Sequence, residues 1–228
     1  MQIQMKSWDE LRLSEKIKIR IKNSTLFSIL LSIYKGYFAN TRRKFGYIHP
    51  TAFVRFPAII KGIENVYLNE YTSILGNATI LTTKAKFIMK RNSGAAEGLT
   101  VVTGSHTSHV GVWCRFISDS EKETYMDKDV VVEEDVWIAS NVTLLAGVKV
   151  GRGSVIGSGS VCRNNVPPYS IVIGNPARVI GFKFSVDEII EHEKKLYSED
   201  ERIPQYKLEK NYEKYYAKRI DKIVDYIR

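Results

Sequence analysis

The sequence predicts a mainly β protein, a solenoid of parallel strands with a helical arm before it and helices after it. The first observation is a six-residue period from residue 130 to residue 165. One apolar track holds Val130, Val136, Val142 and Val148. A second, two positions later, holds Val132, Ile138, Leu144, Val150, Ile156 and Cys162. A third holds turn residues that tolerate a positive φ: Asp135, Asn141, Gly147, Gly153, Gly159 and Asn165.

This period separates a solenoid from other folds. A helix with 3.6 residues per turn cannot keep a period of six on one face. A short strand with two inward apolar positions and a turn does keep it, because each rung buries its apolar residues on the next. Looser matches occur upstream at Ile48, Val54, Ile60, Val66, Ile74 and Ile80. The two-residue slip between Val66 and Ile74 predicts a small insertion there.

The period stops between about residues 104 and 128, where the chain is polar and aromatic. Loops this long in compact domains are usually functional or disordered. His106 and His109 lie at the beginning of this excursion. We therefore predict three parts: a basic helical arm (residues 1–45), the solenoid (residues 46–182) and C-terminal helices (residues 183–228).

The second observation is the charge of the arm. The whole chain carries 34 Lys and Arg against 25 Asp and Glu, a net charge of +9. The first 45 residues hold 10 of these basic residues and 3 of the acidic ones. Apolar residues recur there near helical spacing, at Leu11, Ile17, Ile21, Leu26 and Leu30. Such a helix either lies on an anionic membrane surface or packs on the solenoid with a solvated basic face.

The third observation is a change of pattern after Gly181. Ser185, followed by Asp187 and Glu188, predicts a capped helix start. Pro204 breaks the chain, and a second helix is predicted from about residue 208 to residue 227. Its apolar face holds Tyr212, Tyr216, Ile220, Ile223 and Ile227, which we interpret as packing residues.

Composition excludes several classes of protein. A hydrophobic content of 44% is too high for a disordered chain. Cys114 and Cys162 cannot form a disulfide framework, so we expect a reduced cytoplasmic protein. The histidines lack the spacing of a zinc site, so no metal is expected. The uncharged run of residues 23–34 is shorter than the roughly 20 residues of a membrane span, and no signal-peptide cleavage site follows it.

Three segments carry a family resemblance: TVVTGSH (100–106), EEDVWIASNVTLLAGVKVGRGSVIGSGSV (133–161) and VPPYSIVIGNPARVI (166–180). With them the chain resembles the hexapeptide-repeat acyltransferases, above all the bacterial O-acetyltransferases of polysaccharide and lipopolysaccharide assembly and the maltose and xenobiotic acetyltransferases. The resemblance covers about residues 46–182. It implies a left-handed parallel β-helix, a hand that the period itself does not specify. It also implies a homotrimer with sites between subunits and acetyl-CoA as acyl donor.

The implied reaction is direct transfer of an acetyl group to a sugar hydroxyl of a surface polysaccharide or its lipid-linked precursor. That chemistry needs a general base, donors for the oxyanion and a site for an anionic cofactor. By resemblance His106 is the base. Residues expected to bind the cofactor are Trp137, Ala139, Ser140, Ser158, Arg163, Arg178 and Lys183. Ala139 stands where the family usually has Gly, and Arg163-Asn164 replaces a common Thr-Lys-like pair.

On the acceptor side, the expected residues are Asn77, His109, Trp113 and Arg115. N-acetylation of an amino sugar or of an antibiotic remains an alternative, as does a longer acyl group. A γ-class carbonic anhydrase, a non-catalytic solenoid and a nucleic-acid binder are weaker alternatives; for the last, the basic excess is not interleaved with exposed stacking aromatics.

We expect a cytoplasmic protein, with residues 1–45 available for peripheral contact at the inner membrane face.

Overall fold

The computed structural model describes residues 12–34, 41–118, 120–123 and 126–215. Within these ranges the α-helices are α1 (Leu13–Lys22), α2 (Thr25–Ile33), α3 (Val186–Leu196) and α4 (Gln205–Tyr215). The strands are β1 (Tyr47–Ile48), β2 (Phe53–Val54), β3 (Ala58–Lys61), β4 (Val66–Leu68), β5 (Ser73–Ile74), β6 (Ala78–Leu81), β7 (Phe87–Met89), β8 (Gly94–Ala95), β9 (Thr100–Val102), β10 (Val130–Val132), β11 (Trp137–Ile138), β12 (Thr143–Leu145), β13 (Lys149–Val150), β14 (Val155–Ile156), β15 (Val161–Cys162), β16 (Ser170–Ile173) and β17 (Arg178–Phe182).

Three consecutive strands make one coil, and five coils stack into a three-sided prism. Sheet A contains β1-β4-β7-β10-β13, sheet C contains β3-β6-β9-β12-β15, and all pairs in both are parallel. Sheet B contains β2-β5-β8-β11-β14-β16 in parallel, and β17 closes its end as an antiparallel strand. We name the prism edges, in chain order, the AB, BC and CA corners. The predicted solenoid of parallel strands is confirmed.

The predicted apolar tracks fill the interior of the prism. Their residues from Val130 to Cys162 are all at most 2% exposed. Positive φ angles occur at Asp135, Asn141, Gly147, Gly153 and Gly159, as the third track predicts. Asn165 differs, because the last coil turns out of the period there. Its Oδ1 accepts a hydrogen bond from the Lys149 backbone N–H at 2.9 Å.

The predicted insertion lies in a different place. Leu68, not Val66, pairs with Ile48 and continues the second track, six residues before Ile74. The two extra residues therefore fall between Ile60 and Leu68, where a 3₁₀ turn spans Ile63–Asn65. Placing the slip after Val66 was wrong, because residues 66 and 68 both point inward and both are apolar.

The helices begin near the predicted positions. Ser185 caps α3, and Glu188 completes a capping box with it. Tyr212 of α4 packs on Phe182, with ring centroids 5.5 Å apart. The other four residues predicted for that face, Tyr216, Ile220, Ile223 and Ile227, lie outside the described residues.

The N-terminal arm is divided into two helices. The break falls at Asn23 and Ser24, and the Ser24 hydroxyl accepts a hydrogen bond from the Phe27 N–H at 3.2 Å. Among the described residues, no helix is long and apolar enough to cross a membrane.

Candidate functional site

The excursion leaves the prism at the CA corner, between β9 and β10. Its neck is closed by a hydrogen bond from the Lys128 N–H to the Thr103 carbonyl, 2.9 Å long. The Thr103 hydroxyl also lies 3.3 Å from the Leu81 carbonyl and 3.2 Å from that of Ala85. The excursion therefore starts and ends at one point of the stack.

An ion pair holds the base of the excursion. Lys122 Nζ lies 2.5 Å from Asp127 Oδ1, and the two side chains are only 10% and 9% exposed. A Cβ on Gly104 would overlap this Asp127 oxygen, so a larger residue there would displace the carboxylate from the ion pair. Further out, hydrogen bonds from the Ser118 hydroxyl and N–H lower the pKa of Glu121. These contacts fix the segment that carries the predicted base.

His106 is exposed and borders a small depression in the excursion. Its neighbours there are Thr107, Cys114, Ile117, Ser118 and Lys122. Within the described ranges, no side chain is hydrogen-bonded to its imidazole ring. Glu97, one of the carboxylates nearest in sequence, is unsuited to orient the ring in the same protomer, because it lies at the BC corner. Asp119, the other, lies outside the described residues.

The predicted acceptor residues of the excursion are all solvent-facing. His109 and Arg115 are exposed, and Trp113 is 79% exposed just before a 3₁₀ turn. They share the excursion with His106. Asn77 is not part of the excursion, because it lies at the BC corner. Its φ there is 61°.

The BC corner forms a continuous ladder along the prism. Asn77 occupies the turn of this corner in coil 2, Ala139 and Ser140 the turn in coil 4, and Ser158 the turn in coil 5, with Glu97 in the coil 3 turn between. Backbone N–H groups of each turn donate to the carbonyls of the neighbouring turn: Asn77 to Pro57, Gly98 to Gly76, Asn141 to Glu97 and Gly159 to Ser140. The structure therefore brings the predicted cofactor residues Ala139, Ser140 and Ser158 to one edge.

Ser140 is one of two serines with available donors at this edge; the N–H and hydroxyl of the exposed Ser158 likewise have no hydrogen-bond partner among the described residues. The Ala139 N–H is used in the ladder, with the Ile156 carbonyl 2.9 Å away. The Ser140 N–H and hydroxyl make no hydrogen bond to any residue that the structure describes, and the side chain is half-buried. Ala139 has no positive φ, so its methyl group is accommodated without strain. Ser140 thus presents two donors for a developing negative charge.

Trp137 lies on the outer face of sheet B and is 51% exposed. Its ring covers Gly94, where an added Cβ would lie 3.2 Å from the ring. Lys183 borders the same cleft, which has a volume of about 240 Å³ and includes Tyr71, Ser73 and Asn92, residues that the sequence did not indicate. Lys183 Nζ is 3.3 Å from Asp135 Oδ2, so this cation already has a carboxylate partner.

Arg163 and Arg178 line a second cavity at the C-terminal end of the prism. It has a volume of about 270 Å³ and also includes Asn164 and Tyr215. Both arginines are exposed, and the only hydrogen bond from the Arg178 guanidinium to a described residue goes to the neighbouring Ala177 carbonyl. Two arginines beside an open cavity fit the phosphates of a nucleotide cofactor, because the planar guanidinium binds two oxygens at once.

Within one protomer, the predicted site residues lie in four places: the excursion, the BC corner, the cleft on sheet B and the cavity at the C-terminal end of the prism. His106 leaves from the CA corner, whereas Ser140 and Ser158 lie at the BC corner. Sheet C separates them, about 10 Å across for a three- or four-residue strand. The outward residues of its strands from coil 2 to coil 5 are uncharged and half-buried: Thr79, Leu81, Thr100, Val102, Thr143, Leu145 and Val161. The exposed Arg163 follows directly after β15.

Comparison with known proteins identifies both the repeat and the fold. Residues 129–164 match the family described as bacterial transferase hexapeptide (six repeats). No curated protein sequence matches the chain. Among solved structures, a hexapeptide-repeat acetyltransferase from Vibrio cholerae O1 biovar eltor, complexed with acetyl coenzyme A, is 23% identical, with a TM-score of 0.54 over 75% of this chain and 86% of that one.

Two further structures are similar. A galactoside acetyltransferase in complex with coenzyme A is 19% identical, with a TM-score of 0.55 over 85% of this chain and 99% of that one. An N-acyltransferase from Bacillus cereus, in complex with dTDP and 3-hydroxybutyryl coenzyme A, is 13% identical, with a TM-score of 0.52 over 68% of this chain and 90% of that one. The fold is thus that of the hexapeptide-repeat acyltransferases, a left-handed parallel β-helix.

Proposed function

We propose that this protein is an acetyl-CoA-dependent O-acetyltransferase of a sugar hydroxyl in a surface polysaccharide or its precursor. The observation that carries the proposal is the pair of unpartnered Ser140 donors, on the same prism edge as Ser158 and in the turn that follows the Trp137 strand, β11. The repeat family and the coenzyme A complexes of similar structures support an acyl donor of this kind.

In this proposal each residue has a distinct task. His106 removes the proton of the acceptor hydroxyl as its oxygen attacks the thioester carbonyl, which contributes about 10²- to 10⁴-fold to the rate. Ser140 donates to the oxyanion that develops on that carbonyl. His106 then returns its proton to the departing thiolate of coenzyme A. Trp137 and Ser158 line the path of the pantetheine arm, and Arg163 and Arg178 hold phosphates.

The site is complete only between two protomers, so we further propose a homotrimer. The outward strand residues of sheet C from coil 2 to coil 5, uncharged rows of Thr and aliphatic side chains, suit packing against a second copy. Packing there brings His106 of one protomer towards the BC corner of the next. Asn77, His109, Trp113 and Arg115 then border the acceptor, since aromatic and hydrogen-bonding side chains suit a sugar ring.

Acetyl-CoA binding, measured by calorimetry, tests the cofactor site without knowledge of the acceptor. Arg178→Ala should weaken binding about 10-fold or more, because a charge-assisted contact to phosphate contributes about 1.5–3 kcal/mol. Lys194→Ala, which removes an exposed cation on α3, is the matched control and should leave binding unchanged. A folded wild-type protein that does not bind acetyl-CoA would contradict the proposal. Product analysis then distinguishes O- from N-acetylation.

A further inference from the structure

The second N-terminal helix exposes apolar surface on nearly half of its circumference. α2 and its flanking residues, from Ser24 to Tyr34, contain no charged side chain. The large apolar side chains of this segment that stand out into solvent are between 38% and 68% exposed: Leu26, Phe27, Ile29, Leu30, Ile33 and Tyr34. No residue of α2 is buried.

The helical positions show how wide this surface is. At 100° per residue these six side chains cover an arc of about 160°. The small polar residues Thr25, Ser28 and Ser32 form a narrow stripe on the opposite side. An apolar arc of this width exposed to water marks a contact surface.

The first helix, α1, has a different pattern: a narrow apolar stripe flanked by basic side chains. This pattern suits the boundary between an apolar layer and a layer of negative charge. Leu13, Ile17 and Ile21 follow one another at helical spacing and are 74%, 47% and 52% exposed. Cations lie on both flanks of this stripe, Lys16 and Arg20 on one and Lys18 and Lys22 on the other. Cations that flank an apolar stripe can extend their heads to a charged layer while their stems remain on apolar surface.

Between the two helices lies an apolar groove of about 500 Å³ with a basic rim. Lys18, Ile21 and Lys22 contribute from α1, and Phe27, Ser28 and Leu31 from α2. The break at Asn23 and Ser24 sets the two helices against each other, so apolar and basic surfaces are adjacent.

We propose that α1 and α2 together dock this protein on an anionic phospholipid bilayer. In this arrangement α2 inserts among the upper acyl chains and the α1 cations meet lipid phosphates. α2 is about 14 Å long, less than half of the roughly 30 Å hydrocarbon core, so it lies in the interface and does not span.

Charge favours a lipid surface over a second copy as the occupant. If two arms covered each other through these faces, the flanking lysines and arginines of both would be brought together, and like charges repel. Lipid phosphates neutralise the same cations, each contributing about fivefold to partition near an anionic surface. The proposal does not depend on the acyl-transfer reaction.

The test is flotation of the full-length protein with two kinds of vesicle, phosphatidylcholine alone and phosphatidylcholine with phosphatidylglycerol. Wild type should float with the anionic vesicles, and high salt should weaken the binding. Lys18→Gln with Lys22→Gln should reduce partition about 25-fold. Leu26→Asp with Leu30→Asp should abolish it. Lys194→Gln with Lys210→Gln, which removes two exposed cations elsewhere, is the matched control and should bind like wild type.

Three results would overturn the proposal. One is no binding of wild type to either kind of vesicle, and another is equal binding of wild type and the Leu26/Leu30 variant to anionic vesicles. The third is a lower oligomeric state of that variant in sedimentation without lipid, which would identify a second copy as the occupant. Circular dichroism reports whether each variant remains folded. Acetyl-CoA affinity, measured in parallel, separates failure of the docking from failure of the proposed function.

Discussion

His106 carries the chemistry of the proposed reaction at the residue scale. His106→Ala should lower kcat by about 10²- to 10⁴-fold with acetyl-CoA affinity unchanged, because the imidazole acts on the acceptor proton. Steady-state kinetics with an identified acceptor, together with calorimetry, measure both quantities. Ser105→Ala, a neighbouring exposed position, is the control and should retain activity. A His106→Ala enzyme with wild-type kcat would assign the base elsewhere.

The two thiols occupy opposite environments. Cys162 is 1% exposed on the second apolar track, and burial raises its pKa to about 11. Cys114 is exposed in the excursion. A thiol reagent at pH 8 should therefore modify Cys114 in the native protein and Cys162 only after unfolding. Modification of both thiols at equal rates in the folded protein would show that the last coil opens readily.

Burial of Cys162 also predicts how stability depends on pH. The unfolded thiol ionises near pH 9, whereas the folded thiol ionises near pH 11, so the unfolded state loses its proton first. The free energy of unfolding should fall by about 2–3 kcal/mol as the pH rises between these values. Urea titrations at several pH values measure this change. Burial raises the pKa of Tyr169 as well, so stability also falls in Cys162→Val, but by about 2–3 kcal/mol less than in wild type. An unchanged slope in that variant would refute the explanation.

At the scale of elements, α3 is tied to the prism by a buried ion pair. Arg152 Nη1 lies 3.2 Å from Glu193 Oε1, and these side chains are 13% and 2% exposed. The Tyr169 hydroxyl donates to the same Glu193 oxygen at 2.9 Å. Arg152 also lies 3.2 Å from Glu134 and stacks on Tyr197, with its guanidinium carbon 3.9 Å from the ring centroid.

This network predicts a large difference between two glutamates of one helix. Glu193→Ala should cost about 3–5 kcal/mol of unfolding free energy, since it leaves the buried Arg152 without one of its carboxylates. Glu191→Ala, four residues from Lys195 on the exposed face, should cost less than about 0.5 kcal/mol. Chemical denaturation of the two variants measures both. Equal losses would mean that the Glu193 contacts do not hold α3.

The repeat was predictable from the sequence because each inward position leaves an apolar residue at a fixed interval. The location of the insertion was not predictable from the sequence. Val66 and Leu68 both point into the prism, and a shift of two residues preserves the alternation of inward and outward side chains. The excursion has no sequence period, so the path of its backbone could not be predicted from the sequence. The assignment of His106 and Ser140 to different corners required the strand order, although each residue was identified by resemblance.

At the scale of the whole molecule, the proposal that each site is shared between protomers makes a distinctive prediction. His106→Ala and Ser158→Trp should each inactivate the enzyme, the first by removing the base and the second by blocking the pantetheine path. A co-expressed sample, in which the two variants assort at random into trimers, should recover about one quarter of wild-type activity. This follows because one quarter of the interfaces then join an intact His106 to an intact Ser158.

Activity of the co-expressed sample, divided by protein concentration, measures this recovery. The control is a mixture of the two variants purified separately and combined without exchange of subunits, which should remain inactive. No recovery in verified hybrids would place both residues of each site in the same protomer.

The closed neck of the excursion has a consequence for how such enzymes diversify. Thr103 and Lys128 are hydrogen-bonded to each other, and β9 and β10 pair with the strands above and below as they would if the chain ran straight on. The segment between Thr103 and Lys128 is therefore an insertion that the strand pairing of the coils does not depend on. It can lengthen, shorten or be replaced while the register of every rung is preserved. Under the proposed function, the choice of acceptor can therefore change without altering the coils that bind the donor.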